Sequence, residues 1–298
     1  MLDFSEKFHS IGAASSPLKN NSENLRQIPI DFLKRFGFDN PELEKLHCFR
    51  PYSEERLQEL AADIKENGIL SPITVRWKAD NLYEILAGHN RCEAARLAGL
   101  QTIPCLVKKV DNNQAIIIMT STNLNQRQEL LPSEKAFGYK SQLEALKHTK
   151  HRVDAAEKIA SDVKESRRQI FRLIRLTHLI PELLQKVDNK TLQLSSGVSL
   201  SYLSKDVQTT INSFCESKKV KLNMELCERF KSEFATVDKI GEEDLQNLIS
   251  NQSKKKSESV SVKIPKNIFL ELFGDISKAE AEKQVIFLLT NQLNNAKH

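Results

Sequence analysis

The residues best suited to chemistry lie in the stretch LAGHNRCEAARLAGL, residues 86–100. An apolar run at 83–86 predicts a short strand that ends near Gly88, and the alanines after Arg91 predict a helix that Gly99 ends. A helix N-terminus after a strand and a glycine offers free backbone N–H groups and the positive end of the helix dipole. Arg91 adds a charged fork for phosphate oxygens. The pattern predicts an anion site, although glycine at such a turn can also serve packing alone.

The same stretch excludes the two commonest phosphate loops, because it has neither a Walker lysine nor a GxGxxG pattern. Taken alone, His89 is better explained as a helix cap than as a catalyst, and Cys92 as a small packing residue. The five cysteines are scattered and never form a CxxC pair. Their spacing argues against a disulfide framework and against zinc, and it favours a reducing cytoplasm.

A second informative stretch, IASDVKESRRQIFRLIRL at 159–176, has the rhythm of a helix-turn-helix. The turn is expected near Lys164, where glycine is more common, and Ser166 is expected to cap the second helix. At about 100° per residue, three arginines fall on one side of that helix, opposite its apolar positions. The predicted DNA contacts are Ser166, Arg167, Arg168, Gln169, Arg172 and Arg175. The alternative is an exposed helix whose arginines are solvated or paired with acids.

The elements around these two stretches predict a multidomain α+β chain. Strands are expected at 73–77, 83–86 and 103–107, helices from Ser53 and from about residue 115, and a wholly helical region from Pro132, with Ser133 as a cap. The C-terminal part predicts a strand at 260–264, a helix after Pro265 and a helix at roughly 278–293. The predicted domains are a flexible tail 1–25, an N-terminal α/β domain 26–128, a helical helix-turn-helix domain 129–249, a linker 250–259 and a C-terminal dimerisation module 260–298.

Composition sets broad limits on the class of protein. The chain has 298 residues, 40% hydrophobic and 28% charged, which is typical of a protein that buries real cores. No apolar run is long enough to cross a membrane, and the first residues do not read as a secretory signal. The net charge of +5 permits a nucleic-acid partner without requiring one.

Four motifs in order make the chain resemble ParB-type partition proteins, most closely those of plasmids and conjugative elements. They are LAADIKENGILSPITVR, GHNRCEAARLAGL, NQRQELLPSEKAF and the helix-turn-helix with its continuation RLTHLIPELL. The resemblance runs from about residue 28 to residue 208. It implies a ParB-like N-terminal nucleotide-sensing domain that binds CTP, with Mg²⁺ as a companion ion.

The family's nucleotide motifs can be carried onto this sequence residue by residue, with some departures. The resemblance implies a nucleotide site made of Gly88, His89, Asn90, Arg91, Asn123 and Arg127. In the family box Gly-Glu-Arg-Arg-x-Arg, His89 replaces the glutamate, and Asn90 and Glu93 replace two arginines. The second motif, TNLNQR at 122–127, is one residue longer than usual. We therefore expect nucleotide binding with slow or absent hydrolysis and assign no catalytic residue.

The resemblance also implies what the whole protein does. It implies a sequence-specific, homodimeric protein that binds double-stranded DNA for plasmid or chromosome partition, as a CTP-gated clamp with a ParA-type ATPase as partner. Its location would be the cytoplasm, on the nucleoid or a plasmid. Two alternatives stay open: a plasmid transcriptional regulator without a clamp cycle, and a kinase or nuclease built on the same N-terminal fold.

Overall fold

The computed structural model describes residues 24–127, 129–148, 154–257, 265–274, 276–277 and 280–287. The chain divides into two compact units, Met1–Glu242 and Glu243–His298. Most of the predicted tail lies outside the described residues, but Leu25 already belongs to the first strand. No helix among the described residues is long and apolar enough to cross a membrane.

A mixed five-stranded sheet forms the centre of the N-terminal part. Its strands are β1 (Leu25–Pro29), β2 (Leu33–Arg35), β3 (Ile73–Ala79), β4 (Leu82–Ala87) and β5 (Thr102–Lys108), in the spatial order β1-β5-β3-β4-β2. β1 pairs with β5, and β3 with β4, in antiparallel fashion, whereas β3–β5 and β2–β4 are parallel. The three predicted strands are confirmed, while β1 and β2 were not predicted.

Four helices accompany the sheet: α1 (Pro41–Glu44), α2 (Glu54–Asn67), α3 (His89–Leu97) and α4 (Asn112–Gln126). Ser53 caps α2 as predicted, since its side chain accepts a hydrogen bond from the backbone N–H of Arg56. Helix α4 begins three residues earlier than its apolar run suggested. Asp111 and Gln114 form a reciprocal capping box there, which fixes the start of the helix before the first isoleucine.

The sheet separates two apolar clusters. Ile85 of β4 belongs to a cluster with residues of α2 and α3, and its neighbour Leu86 belongs to a cluster with residues of α4. Successive side chains of a strand point to opposite faces, so this alternation places helices on both sides of the sheet. Cys92 is buried in the first cluster, as expected for a packing residue. The first cluster contains Ala94 and Ala95 of α3, and the second contains Ala115 and Met119 of α4.

The region after Pro132 is helical throughout its described residues, as predicted. Its helices are α5 (Pro132–Lys147), α6 (Ala155–Val163), α7 (Arg167–Arg175), α8 (Pro181–Asp188), α9 (Leu194–Leu200), α10 (Lys205–Ser217), α11 (Met224–Phe234) and α12 (Glu242–Ser257). The predicted cap at Ser133 is wrong, because Leu131 holds the cap position and Pro132 takes the first helical position. Ser133 instead donates its backbone N–H and hydroxyl to the Asp188 carboxylate.

Helix α12 corrects the prediction of an irregular break at residue 250. It continues to Ser257, so most of the predicted linker 250–259 has helical backbone. In the second unit, α13 (Lys266–Phe273) begins after Pro265 as predicted, and residues 280–287 are helical. The predicted strand 260–264 lies outside the described residues.

Candidate functional site

One cavity brings together residues that the sequence separates widely. It has a volume of about 570 Å³ and lies between the N-terminus of α3, the C-terminal end of α4 and the segment 47–52. All of the predicted nucleotide residues line it: Gly88, His89, Asn90, Arg91, Asn123 and Arg127. The extra residue in the second motif therefore does not remove Asn123 or Arg127 from the cavity.

Gly88 determines how α3 starts at this cavity. Its φ of 96° lies in the left-handed region, and an added Cβ would lie 2.6 Å from Ile73 Cγ2. Both observations require glycine here. The first helical hydrogen bond runs from the N–H of Cys92 to the carbonyl of Gly88. The N–H groups of the preceding turn then have no intrahelical partner, as the anion-site prediction requires.

Two polar side chains that follow Gly88, those of Asn90 and Arg91, form hydrogen bonds that stabilise the cavity wall. Asn90 Oδ1 accepts a hydrogen bond from the backbone N–H of Tyr52 at 3.1 Å, although 38 residues separate the two. Arg91 Nη1 donates to the carbonyl oxygens of Ser71 and Pro72. Arg91 is therefore not the free fork that the sequence suggested. It forms no ion pair with any described residue, so its charge remains available to the cavity, and burial lowers its pKa.

The segment 47–52 contributes residues that the sequence analysis missed. His47 Nε2 and His89 Nδ1 lie 3.5 Å apart, with the two rings edge to face. Burial and the nearby Arg35 guanidinium lower the pKa of His47 to about 4. Burial and the contact with His47 lower the pKa of His89 well below its usual value. Both imidazoles are therefore neutral at pH 7.

The cavity is strongly basic. Its lining includes one glutamate, Glu93, and five arginines: Arg35, Arg50, Arg91, Arg96 and Arg127. Glu93 pairs with Arg96 at 2.8 Å. The Arg127 guanidinium lies 5.2 Å from the Tyr52 ring centroid, and that of Arg56 lies 4.1 Å from it, so Tyr52 contacts two cations. The run HCFRPY at 47–52, polar and aromatic before a capped helix, was the sequence signal for this wall.

The helix-turn-helix forms a second candidate site. Helices α6 and α7 pack together, and Ile159 and Ile170 are both fully buried. Lys164 takes the left-handed conformation, φ 56°, at the turn position where glycine is more common. Ser166 caps α7, because its Oγ accepts from the N–H of Gln169 at 3.2 Å. The predicted turn and cap are confirmed.

The arginines of α7 divide into two groups. Arg168 and Arg172 are exposed and form no ion pair with any residue that the structure describes. Arg167 pairs with Asp154 at 2.8 Å. Arg175 is half-buried, donates to the carbonyl of Ser201 and stacks on an aromatic ring, so its first role is packing. A free basic face therefore remains at Arg168 and Arg172.

Comparison with known proteins identifies relatives of the chain. Residues 15–124 match the ParB N-terminal domain family. The chain is 30% identical over 214 residues to a probable chromosome-partitioning protein ParB of Vibrio cholerae. This match covers 70% of each chain. Further curated chromosome-partitioning relatives, from Thermus thermophilus, Treponema pallidum and Pseudomonas putida, match over about half of their length.

Two solved structures of truncated ParB from Caulobacter crescentus are also similar. One, in complex with the centromeric parS site, is 27% identical with a TM-score of 0.45 and covers 70% of this chain and 99% of that chain. The other, in complex with CTP-gamma-S, is 31% identical with a TM-score of 0.30 and covers 59% of this chain and 91% of that chain.

The fold and the two basic surfaces define an α/β domain with an anion cavity, followed by a helical domain with an arginine-bearing helix-turn-helix. The sequence identity to the Vibrio cholerae relative, over 70% of both chains, shows the family. The chain belongs to the ParB-type partition protein family.

Proposed function

We propose that the protein binds CTP in the cavity at the start of α3 and double-stranded DNA through α7, and that it acts in chromosome or plasmid partition. The observation that carries the proposal is the basic cavity. Free N–H groups after Gly88 and a surplus of arginines suit a triphosphate. The choice of CTP follows from membership of the family. The companion Mg²⁺ would be held by the phosphates.

The DNA-binding proposal rests on the free face of α7. Arg168 and Arg172 are exposed guanidiniums on a capped helix that packs on α6. Such a face can donate to phosphates or to the major-groove edge of guanine. Ser166 caps α7 and Gln169 lies in its first turn, the end at which recognition helices meet the groove. Arg167 would need to leave Asp154 to contribute.

We further propose that CTP and DNA together close the N-terminal parts of a homodimer into a clamp. Residues 260–298 would form the dimer contact, and a ParA-type ATPase would act on the assembly at the nucleoid or a plasmid in the cytoplasm. Exposed apolar residues of the C-terminal unit, Ile268, Leu270, Ile286 and Phe287, support a contact with a second copy.

The cavity supports binding better than turnover. The glutamate that lines it is paired with Arg96, and the position of the family's box glutamate carries His89. Both imidazoles are neutral, and neither His89 Nε2 nor His47 Nδ1 has a partner among the described residues. Without a free carboxylate to orient water, we expect CTP hydrolysis to be slow or absent.

Calorimetry with CTP, ATP and GTP tests the nucleotide proposal. We expect the wild type to bind CTP, and Arg35→Ala to bind it roughly five- to tenfold more weakly, because that exposed arginine lines the cavity without a described ion-pair partner. Lys218→Ala, which removes an exposed charge at the residue that follows α10, is the control. If the wild type binds none of the three nucleotides, even with DNA present, the proposal fails.

Two alternative functions, a transcriptional regulator and an enzyme, can be distinguished from partition by experiment. A transcriptional regulator without a clamp cycle would occupy dispersed promoters in a genome-wide footprint, whereas a partition protein would concentrate at one locus. A kinase on this N-terminal fold would turn over nucleotide without DNA, and a nuclease would cleave the DNA that it binds. The exposed arginines on α7 favour a DNA-binding function over a kinase.

A further inference from the structure

Glu134 joins the nucleotide cavity to the helical region. It lies in the first turn of α5, and its side chain is only 4% exposed. Its Oε1 accepts from the backbone N–H of Arg50 at 2.7 Å and from Arg50 Nε at 3.4 Å. The same oxygen lies 3.8 Å from Arg127 Nη1. A single buried carboxylate therefore faces two of the arginines that line the cavity.

The other oxygen of Glu134 belongs to the helix. Oε2 accepts from the backbone N–H of Leu131 at 2.8 Å, which caps the start of α5. Helix α5 in turn packs against α7. Arg127 Nη2 also donates a hydrogen bond to the carbonyl of Arg50. This bond links the segment that carries Arg50 to the end of α4. The contacts thus run without a gap from the cavity through Glu134 to the helix that carries Arg168 and Arg172.

We propose that Glu134 competes with nucleotide phosphate for Arg127 and Arg50, and that this competition couples occupancy of the cavity to the N-terminal turn of α5. The inference rests on the proposed nucleotide function and names Glu134 as a positioning residue within it. A phosphate that binds Arg127 weakens its pair with Glu134, because one guanidinium cannot face both anions equally well. Weakening this pair also weakens the contact between the cavity wall and the first turn of α5, which Glu134 makes.

Glu134→Gln tests this competition, because it removes the charge and keeps the size of the side chain. Glutamine has one acceptor oxygen, so it can keep the bond from the Leu131 N–H that caps α5, while it loses the charge and the bond from the Arg50 N–H. We expect CTP to bind about three- to tenfold more tightly to this variant, because Arg127 and Arg50 no longer face a carboxylate that competes with phosphate. Glu134→Asp, which keeps the charge but withdraws it by one methylene, should shift affinity in the same direction and serves if the glutamine variant unfolds.

Glu129→Gln is the matched control, since Glu129 is exposed and lines a neighbouring depression without a described arginine contact. Hydrogen exchange of residues 131–147 gives an independent readout. In the wild type CTP should speed exchange at the first turn of α5, and in Glu134→Gln that exchange should no longer respond to CTP.

Three results would count against the inference. An equal gain in affinity in Glu129→Gln would show a general charge effect and overturn it. Unchanged affinity and an unchanged exchange response in Glu134→Gln would also overturn it, while the nucleotide function would stand. If the wild type binds no nucleotide at all, the proposed function fails first and the inference falls with it.

Discussion

Replacing Arg168 and Arg172 together with alanine is expected to weaken DNA binding by roughly 2–6 kcal/mol if both read bases. If they meet phosphates instead, the slope of log affinity against log salt should fall by about one for each arginine. Both side chains are exposed, and the structure gives neither an acidic partner among the described residues. The fold should be unaffected, because the buried side of α7 is formed by Ile170 and Leu173.

Titration of a duplex from the protein's own locus at several salt concentrations measures this effect. Lys218→Ala with Lys221→Ala removes the same charge from exposed positions of the helical region. That double variant should bind DNA nearly as well as the wild type. Equal losses in the two double variants would assign the effect to net charge and remove α7 as the recognition helix.

Acid is expected to destabilise the N-terminal part well before its carboxylates are protonated. The pKa of His47 is about 4 in the folded chain against 6.5 in the unfolded chain, so the unfolded state binds more protons between these values. The contribution of His47 to stability is complete above pH 6.5 and is lost as pH falls to 4. The shift corresponds to about 3 kcal/mol for His47, and His89 acts in the same direction.

Denaturant unfolding from pH 7 to pH 4.5 measures this dependence. His47→Gln should flatten the profile, because glutamine cannot take up the proton. His148→Gln alters an exposed histidine at the end of α5 and should leave the profile as it is. A wild-type free energy of unfolding that stays constant between pH 7 and pH 5 would contradict the neutral histidine pair.

The sequence predicted those features that depend on neighbouring residues. Ser53 and Ser166 were recognised as caps because the bond from the cap side chain to the N–H three residues later is local. Strand β3 showed apolar alternation. Strand β1 has only one buried residue, and β2 is three residues long, so neither produced a readable pattern.

Tertiary contacts explain what the sequence did not show. Asn90 was assigned to a phosphate loop, but only the fold brings Tyr52 close enough to donate to it. The same holds for the contact between His47 and His89, which come from separate segments. Ser133 looked like a cap, but Pro132 suits the first helical position and moved the cap to Leu131.

The assignment of the arginines shows the same division. Helical spacing placed Arg175 beside Arg168 and Arg172, and that geometry is local. Its pairing with Ser201 and its stacking on Tyr202 are tertiary contacts, which spacing cannot reveal. Glu134 was not singled out at all, because its role depends on Arg50, which lies 84 residues away.

A protein that combines a nucleotide cavity with a DNA-binding helix is expected to hold DNA in a way that depends on CTP. Retention on DNA tests this dependence most directly. The protein is loaded with CTP onto a duplex whose two ends are blocked, washed in high salt, and compared with the same duplex cut to give a free end. We predict retention only on the blocked duplex and only with CTP, because a closed clamp can leave only over an end. Equal release from both duplexes, with or without CTP, would contradict the account.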